Sequence, residues 1–344
     1  MKGGKALTVV VPAYNSGAFL SKCLDSFCDA HVLPFIEVLV VNDGSRDNTS
    51  EIARGYAARW PDSFKVIDKE NGGHGSAINL GCQRAAGRYF LVVDSDDWVI
   101  AENLPELIRT LSDDDADVIL CNYHMVDVET GVRRAFVTKG AAFGEAYTVE
   151  QLMALPRDAL NCCFFHGIIY RTAFYRQTGL RVSEKVFYED NEYATIPFFY
   201  AETVRPLNLF IYQYQTGSAG QSMSDANRVR NLGQLEKVFW RIADFYTDHR
   251  GEMTEGKRAY FAFKLSTLLE NYYAATLVKD PDRKRGAQNA AAMRERVKQK
   301  IPEIANAAES GYRAARTLHR LGVSSGLLER MKRTKLYGLL RRKL

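Results

Sequence analysis

Short continuous apolar runs, parted by helix-length stretches, constrain this chain more than any other feature. The runs are Leu7–Val11, Val38–Val41, Val66–Ile67, Phe90–Val93 and Val118–Cys121. A run apolar at every position fits a parallel strand buried on both faces. Between the runs lie helix patterns. One puts Phe19, Leu20, Cys23, Leu24 and Phe27 on one face, and another follows Asp47 and Thr49 to Arg59. A third, from Gly75 to Ala86, starts among glycines, and a fourth lies near Leu104–Leu111. Strand–helix alternation of this kind predicts an α/β chain with a mostly parallel sheet covered by helices.

The pattern then changes. Val126–Asp127 and Arg133–Val137, around Glu129-Thr130-Gly131, read as a hairpin, and Thr148-Val149-Glu150-Gln151 reads as a capping box. Phe164–Tyr170 and Leu207–Tyr214 are further strand candidates, with a helix near Glu189–Tyr200 between them. Beyond a small-residue loop at 217–224 nearly everything is helix-forming, so the domain boundary is placed near 224. Two helical stripes there, from Leu232 to Ile242 and from Phe261 to Tyr272, read as helix–helix core.

Length and composition narrow the function classes. With 344 residues the chain has room for two domains, or one large domain with an appendage. Hydrophobic residues at 46% and charged residues at 25% exclude collagen, a disulfide miniprotein and a mostly disordered chain. No apolar run approaches the roughly 20 residues that span a bilayer. The N-terminus lacks a signal-peptide pattern, and the six cysteines lack CxxC spacing. They read as reduced core residues of a cytoplasmic protein. Charge is uneven. Residues 1–224 carry 20 Lys+Arg against 28 Asp+Glu, and residues 225–344 carry 26 against 13.

In an open parallel sheet, ligands bind beyond the carboxyl ends of the strands. Three strands end there in polar clusters: Pro12-Ala13-Tyr14-Asn15, Asn42-Asp43-Gly44-Ser45 and Asp94-Ser95-Asp96-Asp97. Parallel strands would gather Asp43, Asp94, Asp96 and Asp97 into one crevice. Clustered carboxylates repel unless a cation or donor compensates, and hard oxygen ligands suit Mg²⁺ or Mn²⁺. Taken singly, such acids are also ordinary turn residues and helix caps.

These clusters, with Asn71-Gly72-Gly73-His74-Gly75-Ser76-Ala77-Ile78-Asn79-Leu80-Gly81 between them and Tyr188-Glu189-Asp190 after them, resemble the family 2 glycosyltransferases in residues, order and spacing. The resemblance is specific over about residues 5–100, weakens through 125–185 and fades after the 217–224 loop. It implies a GT-A fold, Rossmann-like, with a catalytic domain over 1–224. That domain would have a nucleotide-sugar half over about 1–125 and an acceptor half over about 126–224. Residues 225–344 would form a helical, basic region.

The reaction implied is inverting transfer of a sugar from a UDP-sugar to a glycan or lipid-linked acceptor, in bacterial cell-surface polysaccharide or glycolipid synthesis. By resemblance, Pro12, Ala13 and Tyr14 line the base pocket, with Asn15 beside them, and Asp43 hydrogen-bonds the nucleobase. Gly73, His74, Asn79 and Ser95 fall in the donor-binding segments. Asp94 sits near ribose and metal, Asp96 binds the metal, and Asp190 is the catalytic base, with Glu189 and Glu192 as alternatives. Many relatives have Arg where this chain has Ile78, so the donor-phosphate contact would come from elsewhere, with His74 a candidate.

Other residues keep two readings. Trp98 suits a sugar face or a core anchor, and Asp97 lies beside it on the acceptor side. His166 is an acceptor-side candidate or a satisfied core histidine. Gln221, Ser222 and Ser224 belong to a loop that would be a lid or a linker. From Arg313 to Lys343 ten Lys/Arg face one acid, Glu329, with leucines interleaved. That tail fits an anionic membrane surface on the inner leaflet, or a solvated helix face, and shows no nucleic-acid motif. The rival functions are a nucleotide-sugar-binding protein without turnover and a sugar nucleotidyltransferase. Pro12-Ala13-Tyr14-Asn15 stands where the latter would need a triphosphate loop.

Overall fold

A computed structural model describes residues 4–217, 225–323 and 326. The chain divides into two compact units, Met1–Ala219 with Thr254–Lys257, and Gly220–Met253 with Arg258–Leu344. The first unit is built on a nine-stranded mixed sheet flanked by helices. Its strands are β1 (Leu7–Ala13), β2 (Ile36–Asn42), β3 (Phe64–Asp68), β4 (Tyr89–Val92), β5 (Trp98–Val99), β6 (Val118–Asp127), β7 (Arg133–Phe136), β8 (Ile168–Arg171) and β9 (Val204–Thr216). The order across the sheet is β3-β2-β1-β4-β8-β6-β9-β5, with β7 pairing β6 outside that path.

The front half follows from the sequence pattern. Strands β1 and β2 are buried at every residue, as their unbroken apolar runs require. The β3, β2, β1 and β4 pairings are all parallel, with Ala13 in register with Asn42. Helices Leu20–Asp25, Thr49–Arg59 and His74–Arg84 connect them, and Leu104–Asp113 leads from β5 to β6. Helix His74–Arg84 lies close on β1 because Gly81 has no side chain: a Cβ there would sit 2.2 Å from Val10 Cγ1.

The back half departs from a simple parallel series. Strand β6 does not join β4. Strand β8, far later in the chain, lies between them and is antiparallel to both. Pairing preference alone cannot reveal that insertion, because β8 is only four residues long. The run 164–170 also becomes strand later than its apolarity suggests, with a 3₁₀ turn at Phe165–Gly167 before β8. Gly167 allows that turn, since a Cβ there would meet Cys162 O at 2.4 Å. The helix expected over 189–200 is two short ones, Asp190–Tyr193 and Pro197–Tyr200, and Pro197 starts the second. The 126–137 hairpin and the Thr148 capping box form as read.

The second unit is helical: Asp225–Arg230, Leu232–His249, Arg283–Lys300, Pro302–Ala307 and Glu309–Arg320, with most of Glu255–Ala274. Leu235, Val238, Phe239, Ile242, Phe261, Leu265, Leu268 and Leu269 are buried, as the two apolar stripes predict. Among the described residues no helix is long and apolar enough to cross a membrane.

Candidate active site

Because β1, β2 and β4 are parallel, the segments after Ala13, Asn42 and Val92 emerge at one edge of the sheet. Pro12 and Ala13 are buried, whereas Tyr14 is 51% exposed beside them. Asn15 takes φ +48°, a left-handed conformation that Asn tolerates better than most residues. Its N–H donates to Ser45 Oγ at 2.9 Å and its Oδ1 accepts from Arg46 N at 2.8 Å. Asn15 therefore ties the first two loops together.

Asp43 is buried and heavily engaged. Its Oδ1 accepts from Lys69 Nζ at 2.6 Å, Gly72 N at 2.9 Å and Ser76 Oγ at 3.3 Å. Its Oδ2 accepts from Gly73 N at 2.8 Å. The carboxylate thus organises the glycine-rich turn, and only Oδ2 has spare capacity for a ligand. Sequence reasoning missed Lys69, although a lysine just after β3 and beside a glycine turn was the available signal.

The glycines of that turn serve close approach. Gly73 has φ +85°, and a Cβ on Gly75 would lie 2.1 Å from Ser183 O. The loop 183–189 can therefore press against the start of helix His74–Arg84. Asn79 holds it there. Its Nδ2 donates to Val182 O at 2.9 Å and Glu184 Oε1 at 3.0 Å, and its Oδ1 accepts from Val182 N at 2.9 Å. Asn79 and Gly73 were expected to contact the donor. The structure shows the Asn79 amide bonded to this loop and Gly73 beside Lys185, whose N would lie 2.9 Å from a Cβ. Lys185 (φ +56°) and Tyr188 (φ +75°) are both left-handed, which is strained for side chains of their size and falls just before Glu189-Asp190.

His74 bridges two carboxylates. Its Nδ1 lies 2.7 Å from Glu189 Oε1 and its Nε2 lies 2.8 Å from Asp94 Oδ1. Burial works against protonation of the ring, but Asp94 and Glu189 outweigh it and hold its pKa well above the usual histidine value. Burial likewise works against the Asp94 carboxylate, and His74 overrides it, keeping that pKa low. Glu189, the alternative base, is buried and bound to His74.

Around Asp94 the acids differ. Burial and then Asp94 push Asp96 up to about 6. Asp97 is buried, and burial, Asp94 and Asp96 push it far above the carboxylate range. Its Oδ2 accepts from Tyr212 Oη at 2.6 Å and its Oδ1 from Gln215 N at 2.7 Å, while Tyr212 Oη accepts from Asp94 N at 3.1 Å. Asp97, an acceptor-side candidate in the sequence, is thus held by Tyr212 and Gln215. Tyr212 was missed, although it lies in the Ile211-Tyr212-Gln213-Tyr214 run of a recognised strand candidate. Ser95 Oγ meets Ser16 Oγ at 2.7 Å. Trp98 has Lys22 Nζ 3.1 Å from its ring centroid, so one ring face is already covered.

His166 stacks on Tyr214 with centroids 4.1 Å apart, and burial lowers its pKa to about 4. Ligand atoms of Asp94, Asp97 and His166 all lie within 4.8 Å of one another. Asp190 opens helix Asp190–Tyr193, and its Oδ1 accepts from Asn191 Nδ2 at 3.0 Å. Tyr214 is pushed up by burial first, then by Asp97, Asp94, Asp190 and Asp96. Gln221, Ser222 and Ser224 lie outside the described residues.

Comparison with known proteins bears on this site. The family model Glycosyl transferase family 2 matches residues 8–178. The glycosyltransferase GlyG of Streptococcus pneumoniae is 30% identical over 248 residues, covering 67% of this chain and 77% of that protein. An uncharacterized glycosyltransferase of Bacillus subtilis, EpsJ, is 29% identical over 213 residues, 61% of this chain and 60% of its own length. A putative glycosyltransferase of the same organism, EpsH, is matched over only 36% of its length.

Among solved structures, the Staphylococcus aureus TarS 1-349 complex with UDP-GlcNAc superposes with a TM-score of 0.63 at 19% identity, over 92% of both chains. The mannosyltransferase PcManGT of Pyrobaculum calidifontis, in complex with GDP-Man and Mn²⁺, gives 0.51 at 18% identity, over 92% of this chain and 88% of its own. At that identity the structural likeness bears on the fold, which is of the GT-A type. The match across most of GlyG, together with the family model over the sheet and its acidic edge, places this chain in the family 2 glycosyltransferases.

Proposed function

We propose that the protein transfers a sugar, with inversion, from a UDP-sugar to a hydroxyl of a glycan or lipid-linked acceptor, as a step in bacterial cell-surface polysaccharide or glycolipid synthesis. The observation that carries this reading is the His74 bridge, which joins the Asp94-Ser95-Asp96-Asp97 turn to Glu189, the residue before Asp190. Two structural neighbours are complexes with nucleotide sugars, UDP-GlcNAc and GDP-Man, which supports a donor of that class.

In this reading Tyr14 and Asp43 meet the nucleobase, Tyr14 through its exposed ring and Asp43 through Oδ2. The imidazolium of His74 supplies positive charge beside the diphosphate, in place of the arginine that Ile78 displaces. Ile78 itself is buried and takes no polar part. Asp190 accepts the proton of the attacking hydroxyl late in the displacement, and a single carboxylate suffices for direct inversion.

The residues also fit a divalent cation, Mn²⁺ or Mg²⁺. Three carboxylates crowd one turn, and Asp96 is raised to about 6 by burial and by Asp94, which marks negative charge left without enough compensation. Asp94 and Asp96 would hold the ion, and its charge would stabilise the departing diphosphate. The basic tail beyond residue 323 would bring the enzyme to an anionic membrane carrying the acceptor. This part of the reading rests on its sequence alone.

A panel of nucleotide sugars, with and without Mn²⁺, tests the reading. One UDP-sugar should bind the wild type with metal, fail to bind Asp96→Ala, and bind Asp190→Asn without turnover. Failure of every nucleotide sugar to bind would overturn the donor assignment.

A further inference from the structure

We infer that His166, from the turn ahead of β8, is a protein ligand of the divalent cation, acting with Asp94 and Asp97. The inference deepens the metal-assisted reading above and rests on it. It starts from a juxtaposition that neither the sequence motif nor the strand pattern contains. His166 lies more than sixty residues from Asp97, yet its ligand atom and those of Asp94 and Asp97 fall within 4.8 Å of one another. Around an octahedral ion with ligands at about 2.1 Å, neighbouring ligand atoms stand about 3.0 Å apart and opposite ones about 4.2 Å apart, so the trio closes on an ion by drawing together.

Each member is oriented from outside, as metal ligands are. Asp94 is held by His74 Nε2 at 2.8 Å. Asp97 is held by Tyr212 Oη at 2.6 Å and Gln215 N at 2.7 Å, which leaves a lone pair on each oxygen. The His166 ring is clamped by stacking on Tyr214 at 4.1 Å and by an edge contact with Tyr212 at 4.9 Å. Among the described residues neither nitrogen of that ring makes a hydrogen bond. The ring is held through its face and edge, which leaves the lone pair of a neutral imidazole for an ion.

The local fold favours this placement. Gly167 lets the Phe165–Gly167 turn tuck against the Cys162 and Cys121 carbonyls, where a Cβ would meet them at 2.4 and 2.9 Å. The turn lifts His166 out of the apolar run, so that it does not continue as strand. Asp96, given to the ion in the reading above, adds a further carboxylate from the same turn.

The test uses the purified full chain and MnCl₂, alone and with UDP. Paramagnetic resonance first measures the bound Mn²⁺, and spin-echo modulation then reports whether an imidazole nitrogen is bonded to it. Imidazole modulation is expected in the wild type and should vanish in His166→Ala and His166→Phe. Affinity should fall at least about tenfold in the two His166 variants. Circular dichroism of both variants checks that they fold.

Bound Mn²⁺ without imidazole modulation, or modulation that survives in either His166 variant, would overturn the inference and leave the transferase reading standing. A wild type that binds no Mn²⁺, with or without UDP, also overturns it. In that case donor consumption measured with EDTA present decides the transferase reading by itself.

Discussion

His74 and Asp94 sit on different elements, one opening a helix and the other following β4, yet His74 Nε2 lies 2.8 Å from Asp94 Oδ1. Through its other nitrogen the same ring reaches Glu189, the residue before Asp190. One imidazole thus couples the two loops that carry the acidic edge and the proposed base. Removing it leaves two close, part-buried carboxyl groups without their shared cation. His74→Ala is expected to lower kcat/KM by about tenfold to a hundredfold, as losses of outer partners of metal sites do. Donor turnover at fixed Mn²⁺ checks this.

The same ring should give stability a pH signature. A histidine whose folded pKa is raised stabilises fully below its unfolded value of about 6.5, and that contribution is lost as pH climbs through the higher folded value. Melting temperatures of wild type and His74→Gln should therefore differ most near pH 6 and converge in alkaline buffer. A gap that widens with rising pH would contradict the bridge.

Asp96 predicts the pH dependence of metal binding. With its carboxyl raised to about 6, protons compete with a cation for the acidic edge. Mn²⁺ affinity should rise between about pH 5 and 7 and level off above, with proton release in calorimetry. Asp96→Asn should flatten that rise.

Asp190 separates binding from chemistry. Asp190→Asn keeps the size of the side chain and the start of its short helix but removes the base. UDP affinity should change little, while turnover falls by about a hundredfold to ten-thousandfold. Calorimetry with UDP beside a product assay distinguishes this from a structural loss.

Asn79 and Gly75 test the loop that carries Glu189 and Asp190. Asn79→Ala strands the buried Val182 N–H and C=O and should cost about 2 kcal/mol in urea unfolding. Gly75→Ala drives a Cβ into Ser183 O, so the loop must move. Turnover should fall further than stability does, because the displaced loop holds the base and the His74 partner.

By itself the sequence determined the front of the sheet and the residues of its acidic edge. Strands β1, β2 and β4 were legible because each is an unbroken apolar run that stops at a polar turn: Tyr14-Asn15, Asp43 or Asp94. A short run of that kind suits a strand buried on both faces far better than a solvated helix or a half-exposed strand. Parallel pairing then put those ends together. What only the tertiary structure decided is which residue each of them meets. Asn79 meets the backbone of Val182, and Asp97 meets Tyr212. The His74–Glu189 and Asp94–Asp97–His166 neighbourhoods join segments separated by many residues. Local propensity carries no information about such pairs. They exist because β8 slides between β4 and β6, and because glycines at 75 and 167 let backbones approach where any side chain would hold them apart.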